Sequence, residues 1–176
     1  VAARLRLFLN ATSLGGPAVE LELAVKADPS NYDLATKLGD LKLSAILAEF
    51  EKAKTAYAAS GEADDTALRA ARTKLLDARL AEYGRRVREH PTDLAERYKL
   101  GATLLMAGKT NEAVGEFQKT VQDPRRKVDS LLRLGECFEK MNMLDLAAKK
   151  VQEAAADFPN MATDRAKEIT YRLAEL

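Results

Sequence analysis

Tyr98-Lys99-Leu100-Gly101 returns further along the chain as Leu132-Arg133-Leu134-Gly135. The recurrence extends beyond those four positions: at the same offset Ala113 reappears as Ala147, Phe117 as Val151 and Thr120 as Ala154. A self-similarity with a period of about 34 residues marks a stacked helix–turn–helix unit and not a compact enzyme domain. Such units bury their apolar faces against one another, so the stretch from Pro91 to Pro159 sets the architecture.

Composition agrees. The chain has 176 residues, 47% apolar and 31% charged, with no Trp and much Ala, Leu, Lys and Glu. Those are helix formers, so an almost all-α protein is expected. Its 28 bases and 27 acids leave a net charge of +1, too little for a nucleic-acid reader. Two short basic clusters, Arg85-Arg86-Arg88 and Arg125-Arg126-Lys127, are read as cations at helix ends or in solvent. Cys137 is alone, which rules out an intrachain disulfide. With no signal segment visible and no run of about 18 apolar residues, no membrane insertion is expected and the cytoplasm is the favoured compartment. The Val1 start and a helical pattern running to Leu176 are read as those of a processed or excised piece. The triplet Asn10-Ala11-Thr12 is read as a chance sequon.

Helical periods and breakers then give the elements. A short helix is expected within residues 1–12, broken at Gly15-Gly16-Pro17, and a second over 17–27. Ser30 with Asp33 reads as a capping pair. Beyond it, Leu43, Ile46, Phe50, Ala53 and Tyr57 are spaced 3, 4, 3, 4, the seam of a coiled coil. No breaker follows until Ser60-Gly61, so one helix of about 27 residues, about 40 Å long, is expected. The return helix, 65–89, carries Leu68, Ala71, Leu75 and Ala78. Folding at Gly61 sets Tyr57 near Ala67, Phe50 near Lys74 and Leu75, and Ile46 near Ala78. Shorter helices follow at 93–107, 110–122, 127–141, 144–157 and 161–175. Asp93 with Glu96 is a second capping pair, and Gly108 and Asn142 occupy the left-handed cap slot of the two copies.

These residues resemble the tetratricopeptide repeat family. The match lies in Leu100-Gly101, Leu104, Ala113 and Phe117, and again in Leu134-Gly135, Ala147, Ala154 and Pro159, with weaker echoes at Leu38-Gly39 and Tyr171-Arg172-Leu173-Ala174. The resemblance implies a right-handed α-solenoid of antiparallel helix pairs, with Gly101, Ala113, Gly135 and Ala147 at close crossings. It implies one domain over 1–176: a partial repeat at 1–29, repeats at 30–91, 92–125 and 126–159, and a terminal or capping helix at 160–176. The repeat at 30–91 departs from the pattern. From Gly39 to Pro91 the step is 52, where from Gly135 to Pro159 it is 24. The excess of 28 is four heptads, which split evenly keep both seams in register. An extended helical hairpin projecting roughly 20 Å past its neighbours is expected.

Catalytic chemistry finds no footing in the residue set. His90 is the only histidine and precedes Pro91; Cys137 follows Leu134 by three and reads as a buried, inert thiol. One His and one Cys, so far apart in sequence, make no metal site, and Gly101, Gly108 and Gly115 serve helices, not a phosphate loop. Met141 and Met143 are read as core filler. The chain is therefore read as a non-enzyme with no cofactor or metal.

What remains is a surface. In the family, first helices line a concave groove, and by resemblance those positions fall on Ala95, Tyr98, Ala102, Leu105 and Met106, then on Asp129, Leu132, Glu136, Glu139 and Lys140. In the extended repeat they fall on Asp33, Thr36, Asp40, Leu43 and Ser44. The favoured partner-binding set is Asp40, Tyr98, Ala102, Leu105, Met106, Asp129, Leu132, Glu136 and Glu139. An apolar middle with acidic flanks suits a basic-amphipathic peptide or helix. Members that grip a C-terminal carboxylate need Lys, Asn and Arg where this chain has Thr36, Asp40, Lys99, Asp129 and Arg133; only Arg133 matches. The leading function is a non-catalytic protein-interaction scaffold. The alternatives are self-assembly through the hairpin or the solenoid ends, giving a homo-oligomer, and an accessory domain of a larger enzyme or secretion complex.

Overall fold

The computed structural model describes residues 16–156, residue 63 excepted. The short helix within 1–12, the sequon at Asn10, the helix over 161–175 and the match at Pro159 lie outside the described residues. Within them the chain is helical, with helices α1 (Pro17–Ala27), α2 (Tyr32–Ala59), α3 (Thr66–Glu89), α4 (Leu94–Met106), α5 (Thr110–Thr120), α6 (Lys127–Lys140) and α7 (Leu144–Ala156). They form two compact units that part between Ala78 and Arg79, inside α3.

The first unit holds α1, α2 and the first half of α3. Pro17 opens α1, where a missing N–H is no loss. The cap of α2 is Asn31 and not Ser30: the Asn31 side-chain oxygen accepts from the Leu34 N–H at 3.1 Å. Ser30 instead donates its hydroxyl to Asp28, and Asn31 Nδ2 also turns to Asp28, so this turn closes on itself. Helix α2 then runs 28 residues without a break, against 13 for α4, and α3 runs 24, against 11 for α5. The extra length is that of the insertion of 28 read from the repeat spacing. Glu49 on α2 pairs with Lys74 on α3. The seam follows: Leu43, Ile46, Phe50, Ala53 and Tyr57 are half-buried while Ala45, Ala48, Glu51, Thr55 and Ala59 are exposed. Across from them Leu68, Ala71 and Ala78 are half-buried and Leu75 is buried. Gly61 and Glu62 both turn with positive φ to close the hairpin.

The second unit holds the end of α3 and α4 to α7. Its core is Leu104, Leu105, Ala113, Phe117, Leu134 and Cys137, with Leu80, Tyr98, Leu100 and Phe138 packed around it. The two copies cross in the same way. A Cβ on Gly101 would lie 3.1–3.2 Å from three ring carbons of Phe117, and one on Gly135 would lie 2.9 Å from Val151 Cγ2. The interval from Gly101 to Phe117 equals that from Gly135 to Val151, so the period carries the crossing and not merely the residue type. Gly108 and Asn142 both have positive φ, the left-handed caps of α4 and α6. Between copies, Thr120 and Ser130, both fully buried, share a hydrogen bond of 2.8 Å that joins α5 to α6. Thr120 also donates to the Phe117 carbonyl, so the donor in the shared bond is Ser130.

Asp93 caps α4 through the Ala95 and Glu96 N–H groups, but Glu96 does not return the bond. Its carboxylate faces Arg86 Nη1 at 3.6 Å and accepts from Lys99 at 2.6 Å. Arg86, read from the sequence as a helix-end cation, is 1% exposed. Its Nε donates to Glu82 at 2.7 Å, and its guanidinium lies over the Tyr83 ring. Burial pushes the Glu82 carboxyl up, but hydrogen bonds from Arg85 and Arg86 outweigh it and hold it below the usual 4.5. A carboxyl held low stabilises the fold above its unfolded value and loses that contribution as pH falls through the folded one. Arg86→Met keeps the stem and removes the charge, leaving Glu82 to Arg85 and Glu96 to Lys99. A loss of about 1–2 kcal/mol is expected in urea unfolding at pH 7, with a shallower fall in stability below pH about 4.5 than in the wild type.

Candidate functional site

The face to which the repeat pattern assigns partner contact is built in the second unit by α4 and α6, the first helices of the two copies. They touch one another in the second unit. Eight of the nine predicted residues lie on them: Tyr98, Ala102, Leu105 and Met106 on α4, and Asp129, Leu132, Glu136 and Glu139 on α6. Asp40 lies on α2, exposed, in the other unit. Leu105 is 6% exposed and belongs to the core, because this side of α4 turns into its own repeat. Its neighbour Met106 is 48% exposed. Tyr98, Ala102, Asp129, Leu132, Glu136 and Glu139 are half-buried.

Tyr98 is the fixed point of this face. Its ring meets the edge of Phe117 at 5.6 Å between centroids and 65° between planes. The Arg126 guanidinium covers it at 5.2 Å. From α6, Arg133 donates to Glu136 at 2.7 Å and has a favourable electrostatic interaction with Tyr98. Burial alone would lower the Arg133 pKa, but the bond to Glu136 and the interaction with Tyr98 raise it. A tyrosine held between Phe117 and Arg126 loses little entropy when a partner arrives.

Two of these groups escaped the sequence reading. Arg126 caps the start of α6 with no help from the helix dipole; Asp123, at 3.7 Å, and the Tyr98 ring hold it there. Arg133 is the residue after Leu132, the repeat counterpart of Tyr98, and that adjacency was the available signal. Charge on α6 is balanced: Asp129, Glu136 and Glu139 stand among Lys127, Arg133 and Lys140. The acidity of the groove positions is therefore offset by Lys140 among them and by Lys127 and Arg133 outside them.

Cys137 is fully buried, and burial pushes its thiol up to about 11. At neutral pH it is a packed apolar group. His90 follows α3 at the surface. Among the described residues, no group of three His, Cys, Asp or Glu comes together to hold a metal. No described helix is long and apolar enough to cross a membrane.

With the geometry in hand, comparison with known proteins is specific. The tetratricopeptide repeat family model matches residues 129–160, which span α6 and α7. No curated protein matches the sequence significantly. Among solved structures, a MamA protein aligns with a TM-score of 0.51 at 20% identity over 84% of each chain. A second MamA structure aligns at 0.47, with 19% identity over 90% of each. TTC0263, a thermophilic TPR protein of Thermus thermophilus, aligns at 0.49, with 18% identity over 99% of this chain and 97% of that one. At such identity the first of these likenesses speaks to the fold alone. Stacks of this kind serve in general as protein-interaction scaffolds. A tetratricopeptide repeat matched at 129–160 and an earlier copy of the same crossing at Gly101 and Phe117 make the second unit similar to tetratricopeptide repeats, on an all-α fold shared with the MamA structure.

Proposed function

We propose that this protein holds a segment of a partner protein against the α4–α6 face and does no chemistry of its own. The observation that carries the reading is Tyr98, held between Arg126 and Phe117, with Met106 left exposed on the same helix. A rigid aromatic beside an adaptable thioether is a suitable floor for an apolar anchor side chain. Because acids and bases alternate along α6, the anchor sets affinity, and the flanking charges of the partner set orientation.

The test is selection from a library of displayed random peptides. Enriched peptides should share an apolar anchor and lose binding to Met106→Glu and to Leu132→Glu. Peptides that bind both variants as well as the wild type, or no enrichment at all, would remove the face from consideration. Self-assembly through the α2–α3 hairpin is a second reading, favoured because Ile46, Phe50 and Tyr57 stay half-buried in a two-helix seam. Sedimentation over a range of concentrations separates the two; a strict monomer excludes assembly.

A further inference from the structure

We propose that the head of α7 is a second docking surface, separate from the α4–α6 face, for an acidic amphipathic helix of a partner protein. Met143, Leu144 and Leu146 lie within one helical turn and are 43%, 48% and 43% exposed. The preceding copy provides an internal control. Its counterparts, one repeat earlier, are Lys109, Thr110 and Glu112. A polar version of this turn therefore satisfies the stack, and three large apolar side chains here answer to something else. Further stacking does not explain them. Lys109 and Glu112 remain exposed with α6 and α7 packed after them, and Thr110 is half-buried, so a helix added in the same manner leaves the Met143 and Leu146 positions open and covers that of Leu144 only in part.

Charge selects the occupant. Lys140 and Lys149 are exposed beside the patch, and among the described residues neither has a carboxylate partner. Asp145 sits in the first turn of α7, where the helix N-terminus already serves a negative charge. An apolar turn flanked by these lysines fits a helix with leucine-type side chains on one face and carboxylates along its borders. Met143 adds an adaptable surface for such a helix.

The probe is a synthetic helix of about 18 residues with Leu at i, i+3, i+4 and i+7 and Glu between, compared with the same peptide carrying Lys for Glu. Amide shifts should change at 140–150, and the Glu peptide should bind about tenfold more tightly than the Lys peptide. Leu144→Lys with Leu146→Lys should weaken it at least about tenfold, and Lys140→Glu with Lys149→Glu, which leaves the apolar turn intact, by about as much. Equal binding of the two peptides, indifference to both variants, or shifts on α4 and α6 in place of α7 overturns the proposal. So does loss of self-association, or of binding to phosphatidylserine–phosphatidylcholine vesicles, in the leucine variant when the Glu peptide fails to bind. Those results assign the turn to a second copy or to a lipid surface. Because Met106 and Leu132 are untouched, failure here leaves the α4–α6 reading standing.

Discussion

Gly135→Val should unfold the last described repeat. Even a Cβ at this position comes within 2.9 Å of Val151 Cγ2 and 3.5 Å of the Ala147 carbonyl. Val151 and Ala147 are fully buried, and a β-branched side chain inside a helix has little rotamer freedom with which to give way. Valine adds two further methyl groups to that contact. The helices must separate, which is expected to cost about 4 kcal/mol or more, a large part of the roughly 5–15 kcal/mol that holds such a domain together. Far-UV circular dichroism with urea unfolding measures it. Gly135→Ala is the milder probe, since alanine recovers about 1 kcal/mol of helix propensity. Combined with Val151→Ala it should be less destabilising than the two single changes added, by about 1 kcal/mol, because each relieves the other.

Phe117→Ala is expected to cost about 3–5 kcal/mol. The ring is fully buried, fills the notch left by Gly101 and pairs edge to face with Tyr98. Removing it deletes the transfer energy of the ring, opens a cavity that Gly101 cannot fill, and loses an aromatic pair worth about 0.5–1.5 kcal/mol. Phe117→Leu should recover more than half of the loss. The two variants also separate stability from function. Tyr98 keeps Arg126 and Arg133 in Phe117→Leu but loses its floor, so peptide affinity at the α4–α6 face should fall more than the folded fraction does.

Much of this was legible because periodicity survives every local accident. The repeat spacing located both crossings, and Gly101 and Gly135 meet the paired side chains in the same way. The 3-4 spacing from Leu43 to Tyr57 gave the seam, and whole heptads on each helix gave its length. Gly108 and Asn142 were readable because few residues tolerate a left-handed cap.

What failed to show depended on contacts distant in sequence. Asn31, Ser30 and Asp28 are all competent cap residues, and only the turn geometry assigns the cap to Asn31. Leu105 and Met106 are adjacent apolar residues on one helix, and which of them faces inward depends on where Phe117 and Leu134 arrive. Met143 was read as filler by composition, whereas comparison with Lys109 in the earlier copy marks it as an outward position. Arg86 looked like one of several surface cations. Glu82, one helical turn before it, was a usable hint, but its burial follows from Glu96 on the next helix.

The account rests on α4 and α6 presenting one shared face. The direct measurement is a double-mutant cycle on Tyr98→Phe and Arg133→Met, which removes the electrostatic interaction between the tyrosine hydroxyl and the guanidinium without opening the core. A coupling of about 0.5–1 kcal/mol in unfolding free energy is expected, since an interaction between neighbouring groups is lost only once. Additivity within about 0.3 kcal/mol would mean that the two first helices do not meet there, and the proposed binding face would have no floor.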